Sequence, residues 1–310
     1  MTETTVTVPP LADPPAAQQG LPIRHALMAL AVVAVWGTNF VVIKVGLAHL
    51  PPLLFAALRF TFAVFPAIFF IKRPAISWGK LAAFGVLIGA GQFGLLYIAM
   101  GHDISPGLAS LVVQSQVFFT IGMAAAIDRE RVRGYQIAGL VLAVAGIALI
   151  AAHATGASTP LGIMLVLGSA LSWSGGNLIT KAAGKVDMLG FMVWASIFSA
   201  PPLYAASFLF EGWPRIAAGL ASATPATWAA VLWQTVGNTL FGYSIWGWLL
   251  ARYPAATVSP MALLVPVFGM ASSSLLLAEP LPAWKLGAAA LVMSGLAVNL
   301  LWPRLRRTVG

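Results

Sequence analysis

The chain has 310 residues, 60% of them hydrophobic and 8% charged, with a formal net charge of +9 and no cysteine. A soluble domain carries about 25% charged residues, so this composition cannot cover a water-exposed surface, and most of the surface must face lipid. The missing cysteines exclude a disulfide framework and any thiolate metal site. The basic excess lies in short connections with no aromatic–basic patch, so it reads as an orientation signal, and no nucleic-acid partner is expected.

Residues 1–22 are polar and rich in Pro and Ala, and they are expected to form a disordered tail. They do not read as a signal peptide, because no basic segment precedes the first apolar run and that run is too long. Ten apolar runs of bilayer-spanning length follow, near 25–47, 51–71, 79–100, 105–127, 134–152, 160–183, 188–210, 226–251, 254–278 and 283–302. Prolines mark several starts (Pro51-Pro52, Pro106, Pro160, Pro225 and Pro254), where a missing N–H is tolerated. In lipid the backbone must satisfy its own hydrogen bonds, so these runs are helices.

The basic residues then set orientation. With the N-terminus inside, cytoplasmic ends collect Arg24, Lys72, Arg73, Lys80, Arg129, Arg131, Arg133, Lys181, Lys185, Arg252, Arg304, Arg306 and Arg307. Outer loops hold Arg215 and Lys285, and Lys44 and Arg59 fall within spans. This bias needs an even number of crossings, which agrees with ten.

The two halves echo each other. WGTNFVVIK (36–44) and WSGGNLITK (173–181) place Trp36 on Trp173 and Lys44 on Lys181, an offset of 137. Glu130 and Glu279, Tyr135 and Trp284, Phe119 and Phe268, and Gly146 and Gly295 align at an offset of 149. Five spans per half is an odd number, so the second half must be inverted in the membrane. That arrangement places a site near the midplane between the repeats. The expected division is a tail (1–22), a first repeat (23–152), an inverted second repeat (153–303) and a basic cytoplasmic end (304–310).

With WG-x-N-x(4)-K in the first span, LRF (58–60) in the second, and Glu130 and Glu279 preceding Gly-rich spans, the sequence resembles the EamA-type members of the drug/metabolite transporter superfamily. It is most similar to the YddG-like aromatic amino-acid exporters of the bacterial inner membrane. The resemblance implies a ten-helix bundle, a central cavity and alternating access. One departure is visible: Pro266 in the ninth span has no counterpart in VQSQVFF of the fourth, where Gln114 and Gln116 stand instead, so the kink that the resemblance implies there has no proline to make it.

Polar groups at membrane depth usually face a cavity or a neighbouring helix. Those near the midplane are Trp36, Thr38, Asn39, Arg59, Gln92, Gln114, Gln116, Trp173, Asn177, Gln234 and Asn238. In the eighth span Gln234, Asn238, Phe241 and Trp248 share a face at helical spacing, flanked by Tyr243 and Trp246. Amides and rings together suit a ligand with a zwitterionic head and an apolar ring. The alternative is that the amides bond between helices. Arg59 reads either as a clamp for a substrate carboxylate or as a lock on helix-end carbonyls. The resemblance, which carries this arginine across varied substrates, favours the lock. Lys44 and Lys181 can both snorkel to head groups on opposite faces, and Lys44 is also a candidate for the outer mouth of the path. Pro66, Pro201-Pro202, Pro260 and Pro266 are candidate bending points.

GAGQFG (89–94) lacks the strand that a nucleotide loop requires and reads as small-residue packing. Ser272-Ser273-Ser274 has no activating group at depth, so no enzyme is expected. All eight acids and four histidines fall in the tail, loops or helix ends, which argues against a membrane-embedded proton relay. The expectation is therefore an all-α inner-membrane exporter of small amphipathic metabolites, foremost aromatic and other neutral amino acids, working by facilitated diffusion or exchange. Both termini would be cytoplasmic and no cofactor or metal is needed. A monomer would suffice, with a dimer left open, and efflux of drugs or other metabolites is the alternative.

Overall fold

A computed structural model describes residues 21–127, 131–153, 158–184, 186–253 and 255–308. Most of the expected tail (residues 1–20), Arg129, Glu130, Lys185 and Pro254 lie outside the described residues. The helices are α1 (Ile23–Gly46), α2 (Pro52–Val64), α3 (Trp78–His102), α4 (Pro106–Ile127), α5 (Gly134–Ala152), α6 (Pro160–Ala183), α7 (188–211), α8 (225–252), α9 (Ser259–Leu277) and α10 (Ala283–Thr308). A surface helix, Gly212–Ser222, joins α7 to α8. The last helix runs on to Thr308, so part of the expected C-terminal tail is helical.

Local chemistry sets the boundaries. Pro52, Pro106, Pro160 and Pro225 open their helices, where the absent N–H would have had no partner. Asp187 caps α7 through the N–H groups of Leu189 and Gly190. Phe65 leaves α2 in an extended conformation because Pro66 follows it, so α2 is shorter than the expected 51–71. Nine helical segments among the described residues are long and apolar enough to cross a membrane, α2 counting together with the short turn that carries it on to Phe69. The exception is α8, whose Gln234, Thr235, Asn238 and Thr239 lower its hydropathy; it nevertheless runs alongside α1 and α2 within the bundle.

The inverted repeat is legible in the packing. α1 packs on α9 as α6 packs on α4, and α1 on α8 as α6 on α3. The pairs α2–α7, α4–α9 and α5–α10 are their own mates under the exchange. The match extends to single residues. A Cβ added to Gly37 would lie 2.6 Å from the carbonyl oxygen of Val265. The aligned pair is Ser174 and Gln116, and there the Ser174 hydroxyl donates to the Gln116 carbonyl at 2.8 Å.

α4 has a tight 3-10 turn at Val113–Ser115, and α9 has one at Ser259–Leu263. The fourth span therefore has its turn without a proline. The GAGQFG stretch lies in a π-helical segment, Leu87–Gly94, against α6 and α7. Widening there frees carbonyls, and three serines take them: Ser199 bonds Gly85 at 2.7 Å, Ser172 bonds Leu87 at 2.9 Å and Ser169 bonds Gln92 at 2.8 Å.

The two membrane-facing ends differ. At the end carrying Lys44, residues 106–115 of α4 are all buried, and α1 packs against them. At the end carrying His25, Gln116, Val117, Phe119 and Thr120 are half-exposed. Among the described residues α6 makes no comparable contact with the start of α9. The bundle is sealed at the Lys44 end and looser at the other.

Candidate functional site

The eighth helix carries a second π-helical segment, Trp233–Phe241, in the place corresponding to that of α3. Wide turns of this kind concentrate at functional sites. Here the turn projects Gln234 and Thr239 toward α1 and α2. The Gln234 side-chain amide donates to Asn39 Oδ1 at 2.6 Å, and the Gln234 backbone carbonyl accepts from the Thr239 hydroxyl at 2.9 Å. Thr239 in turn accepts from Arg59 at 3.1 Å, and Arg59 donates to the Tyr97 hydroxyl at 3.3 Å. The result is one buried chain, Asn39–Gln234–Thr239–Arg59–Tyr97, crossing four helices.

Arg59 is fully buried, and its guanidinium carbon lies 3.6 Å from the centre of the Phe93 ring. No carboxylate pairs with it among the described residues, and its Nε has no partner there. The side-chain oxygens of Gln92 and Gln234 are likewise buried and unbonded. Unsatisfied buried groups cost about 1–3 kcal/mol each, so each of these open donors and acceptors is a point at which a polar partner would gain energy.

A second group forms on α4 and α6. Asn177 donates to Gln116 Oε1 at 2.9 Å and to Thr120 at 3.3 Å. Thr120, Asn177 and Lys181 line a cavity of about 270 Å³ with Arg131 and Gln136. Trp173 is half-buried against the core, and Gln114 is buried.

Trp36 donates to the Asn238 carbonyl at 3.2 Å and packs against Tyr243 and Trp246, with ring centres 5.7 and 5.2 Å apart. Thr38 bonds its own helix at Ala34. The expected single face of α8 does not hold. The π turn takes an extra residue, which sets Phe241 with the exposed Trp233 and Val236 rather than with Gln234 and Asn238. Trp248 sits fourteen residues beyond Gln234, about 21 Å along the axis, in a cluster with His25 and Arg252 at the bundle end. Lys44 donates to the Met100 and Gly101 carbonyls at 3.1 Å each, capping α3. Pro266 is buried in the first α-helical turn of α9, and Val265 beside it faces Gly37.

Two acids prove to be structural pins between the halves. Glu211 accepts from the N–H groups of Leu53 and Leu54 at the start of α2, at 2.6 and 3.1 Å. Glu279 accepts from Ser105 and from the Gly107 N–H at the start of α4, and pairs with Lys285 at 2.8 Å. Each negative charge meets the positive end of a helix. Tyr97, Thr239, Phe93 and Thr120 were not among the expected site residues. Thr239, next to Asn238 in a span, was the readable signal; Tyr97 gave none. Among the described residues no cluster of three His, Asp or Glu could hold a metal.

Comparison with known proteins fits this architecture. The model of the EamA-like transporter family matches residues 23–152 and again 160–301. A Salmonella typhimurium protein named "Probable amino-acid metabolite efflux pump" is 42% identical over 291 residues, covering 92% of this chain and 97% of its own length. An Escherichia coli K12 protein of the same name is 38% identical over 292 residues, covering 92% and 98%. A solved crystal structure superposes with a TM-score of 0.59 at 20% identity, over 92% of this chain and 99% of the other, a likeness of fold. The two halves, each matched separately and each aligned with an efflux protein along nearly its whole length, place this chain in the EamA-like transporter family.

Proposed function

We propose that this multi-pass membrane transporter exports small amino-acid-type metabolites across a bacterial inner membrane, with both termini cytoplasmic. The observation that carries the substrate class is Arg59, a buried guanidinium with no counter-charge and an open Nε among the described residues. A substrate α-carboxylate supplies the missing anion through charge-assisted hydrogen bonds. The open oxygens of Gln92 and Gln234 accept from the ammonium, while Trp36, Phe93 and Tyr243 offer ring faces to an apolar side chain. A cationic drug would meet the positive charge of Arg59 unscreened, which favours the amino-acid reading over general cation efflux. The names of the two efflux relatives support it.

With the Lys- and Arg-rich side in the cytoplasm, the looser His25 end faces inward, which supports reading this arrangement as cytoplasm-open. Transport then swings the first repeat (23–152) against the second (153–303). Glu211 and Glu279, whose carboxylates are largely shielded, are engaged as helix caps at the sealed end, so neither serves as a proton carrier at mid-depth. The proposed mode is facilitated diffusion or exchange. Proteoliposomes loaded with labelled phenylalanine should release it with equal pH on both sides; release only under an imposed pH gradient overturns the mode.

A further inference from the structure

At the Lys44 end a separate cavity of about 350 Å³ lies beneath the surface helix Gly212–Ser222, bounded by the α1–α2 connection and the last turn of α3. Its floor is apolar, from Leu47, Leu50 and Pro52, and its rim carries His49, His102 and Arg215. His49 is tied to the Thr227 hydroxyl at 3.0 Å. His102 and Arg215 are exposed and have no hydrogen-bond, ion-pair or ring partner among the described residues. The neighbouring acids offer them nothing: Glu211 caps α2, and Asp103 accepts from Thr159 at 2.9 Å. The cavity therefore has open basic donors at its rim and an apolar base.

The end of α7 and the first turn of the surface helix supply the other half of an amphipathic site. Phe208, Leu209, Phe210 and Trp213 are 54, 79, 78 and 61% exposed, and the rings of Phe208 and Trp213 stack within 4° of parallel. Two residues after Trp213 comes Arg215. Trp213 and Arg215 project from different sides of the helix but at the same depth, and a tryptophan at that depth marks the level at which acyl chain gives way to phosphate. We propose that this cavity holds the headgroup of an anionic phospholipid, with its phosphate between Arg215 and His102 and its chains along Phe208, Leu209 and Phe210. Basic side chains at the level of the head groups attract anionic lipid by charge, and on the proposed orientation the lipid here belongs to the outer leaflet. The surface helix packs closely on the α1–α2 connection, since a Cβ on Gly219 would lie 2.7 Å from Pro51. A bound headgroup would bridge the surface helix to α3 at the sealed end.

The test uses the purified full chain in detergent, titrated with short-chain phosphatidylglycerol or phosphatidylcholine and read by native mass spectrometry. One phosphatidylglycerol should bind at least tenfold more tightly than phosphatidylcholine. Arg215→Gln should weaken it about fivefold, the worth of one cation near a charged surface, and His102→Asn about threefold, the worth of one hydrogen bond. Arg24→Gln, at the opposite end, should change nothing. Equal binding of the two lipids, or wild-type binding by the Arg215 and His102 variants, overturns the proposal. Competition by inorganic phosphate at the concentration of the lipid also overturns it, by assigning the site to a free anion.

Discussion

The guanidinium of Arg59 lies against the face of Phe93, 3.6 Å from the ring centre, deep in a bundle where no described carboxylate balances it. A charge at the centre of a spanning helix costs about 2.5–3.5 kcal/mol on insertion scales. The ring and the two hydroxyls of Tyr97 and Thr239 offset part of that cost, and the remainder is available to a ligand.

Arg59→Gln should therefore leave thermal stability in detergent unchanged or higher, while exchange of amino acids falls at least tenfold. Arg59→Lys keeps the charge but loses the planar stack and the fork, so it should restore little. A fall of more than about 3 kcal/mol in the stability of Arg59→Gln, with exchange intact in the folded fraction, would make this arginine a lock and nothing more.

Asn39 and Gln234 bond directly across the α1–α8 contact. A double-mutant cycle of Asn39→Ala and Gln234→Ala, measured as unfolding free energy, should show a coupling of about 0.5–1.5 kcal/mol. Each single variant should raise the KM for amino acid more than it lowers the maximal rate. Additive stability effects would mean that the bond contributes nothing.

Gly37 explains the glycine of the WGTN stretch: α9 passes so close that any Cβ meets the Val265 carbonyl. Gly37→Ala should push α1 from α9 and destabilise by about 1–3 kcal/mol. Gly122, exposed on α4 with nothing within 4 Å of a built Cβ, is the matched control. Gly122→Ala should be neutral or stabilising by up to about 1 kcal/mol.

Glu279 and Lys285 are 8 and 5% exposed, and the carboxylate also caps α4. Glu279→Gln leaves a buried ammonium unpaired and should cost about 3–5 kcal/mol, read as a lower melting temperature. Because this pin lies between the repeats at the sealed end, the surviving protein should also show faster labelling of a cysteine placed at Ser110, which is buried in wild type. Unchanged labelling would separate the pin from the seal.

Ten spans, their alternation and the inverted echo were legible because lipid imposes a length and a polarity rule on every segment. Trp36, Asn39, Gln234 and Asn238 stood out for the same reason, since an amide inside an apolar run has few explanations. What the sequence could not show was the π-helical turn of α8. A period of 3.6 placed Phe241 with the amides, and the wide turn carried it to the exposed face. Trp248 satisfied the same period but sits too far along the axis, beside His25. The partners of Arg59 were hidden because Tyr97 and Thr239 are thirty-eight and one hundred and eighty residues away in sequence. Glu211 looked like a loop acid, and its use as a cap on α2 depends on a helix end supplied by the other repeat.

Carboxylate recognition at Arg59 is tested most directly by counterflow in proteoliposomes at equal pH, loaded with unlabelled phenylalanine and presented with the labelled compound. Wild-type protein should accumulate label transiently, and phenethylamine, which lacks only the carboxylate, should neither drive nor inhibit the exchange. If phenethylamine drives it as well as phenylalanine does, the buried guanidinium is not where the substrate's acid group is read.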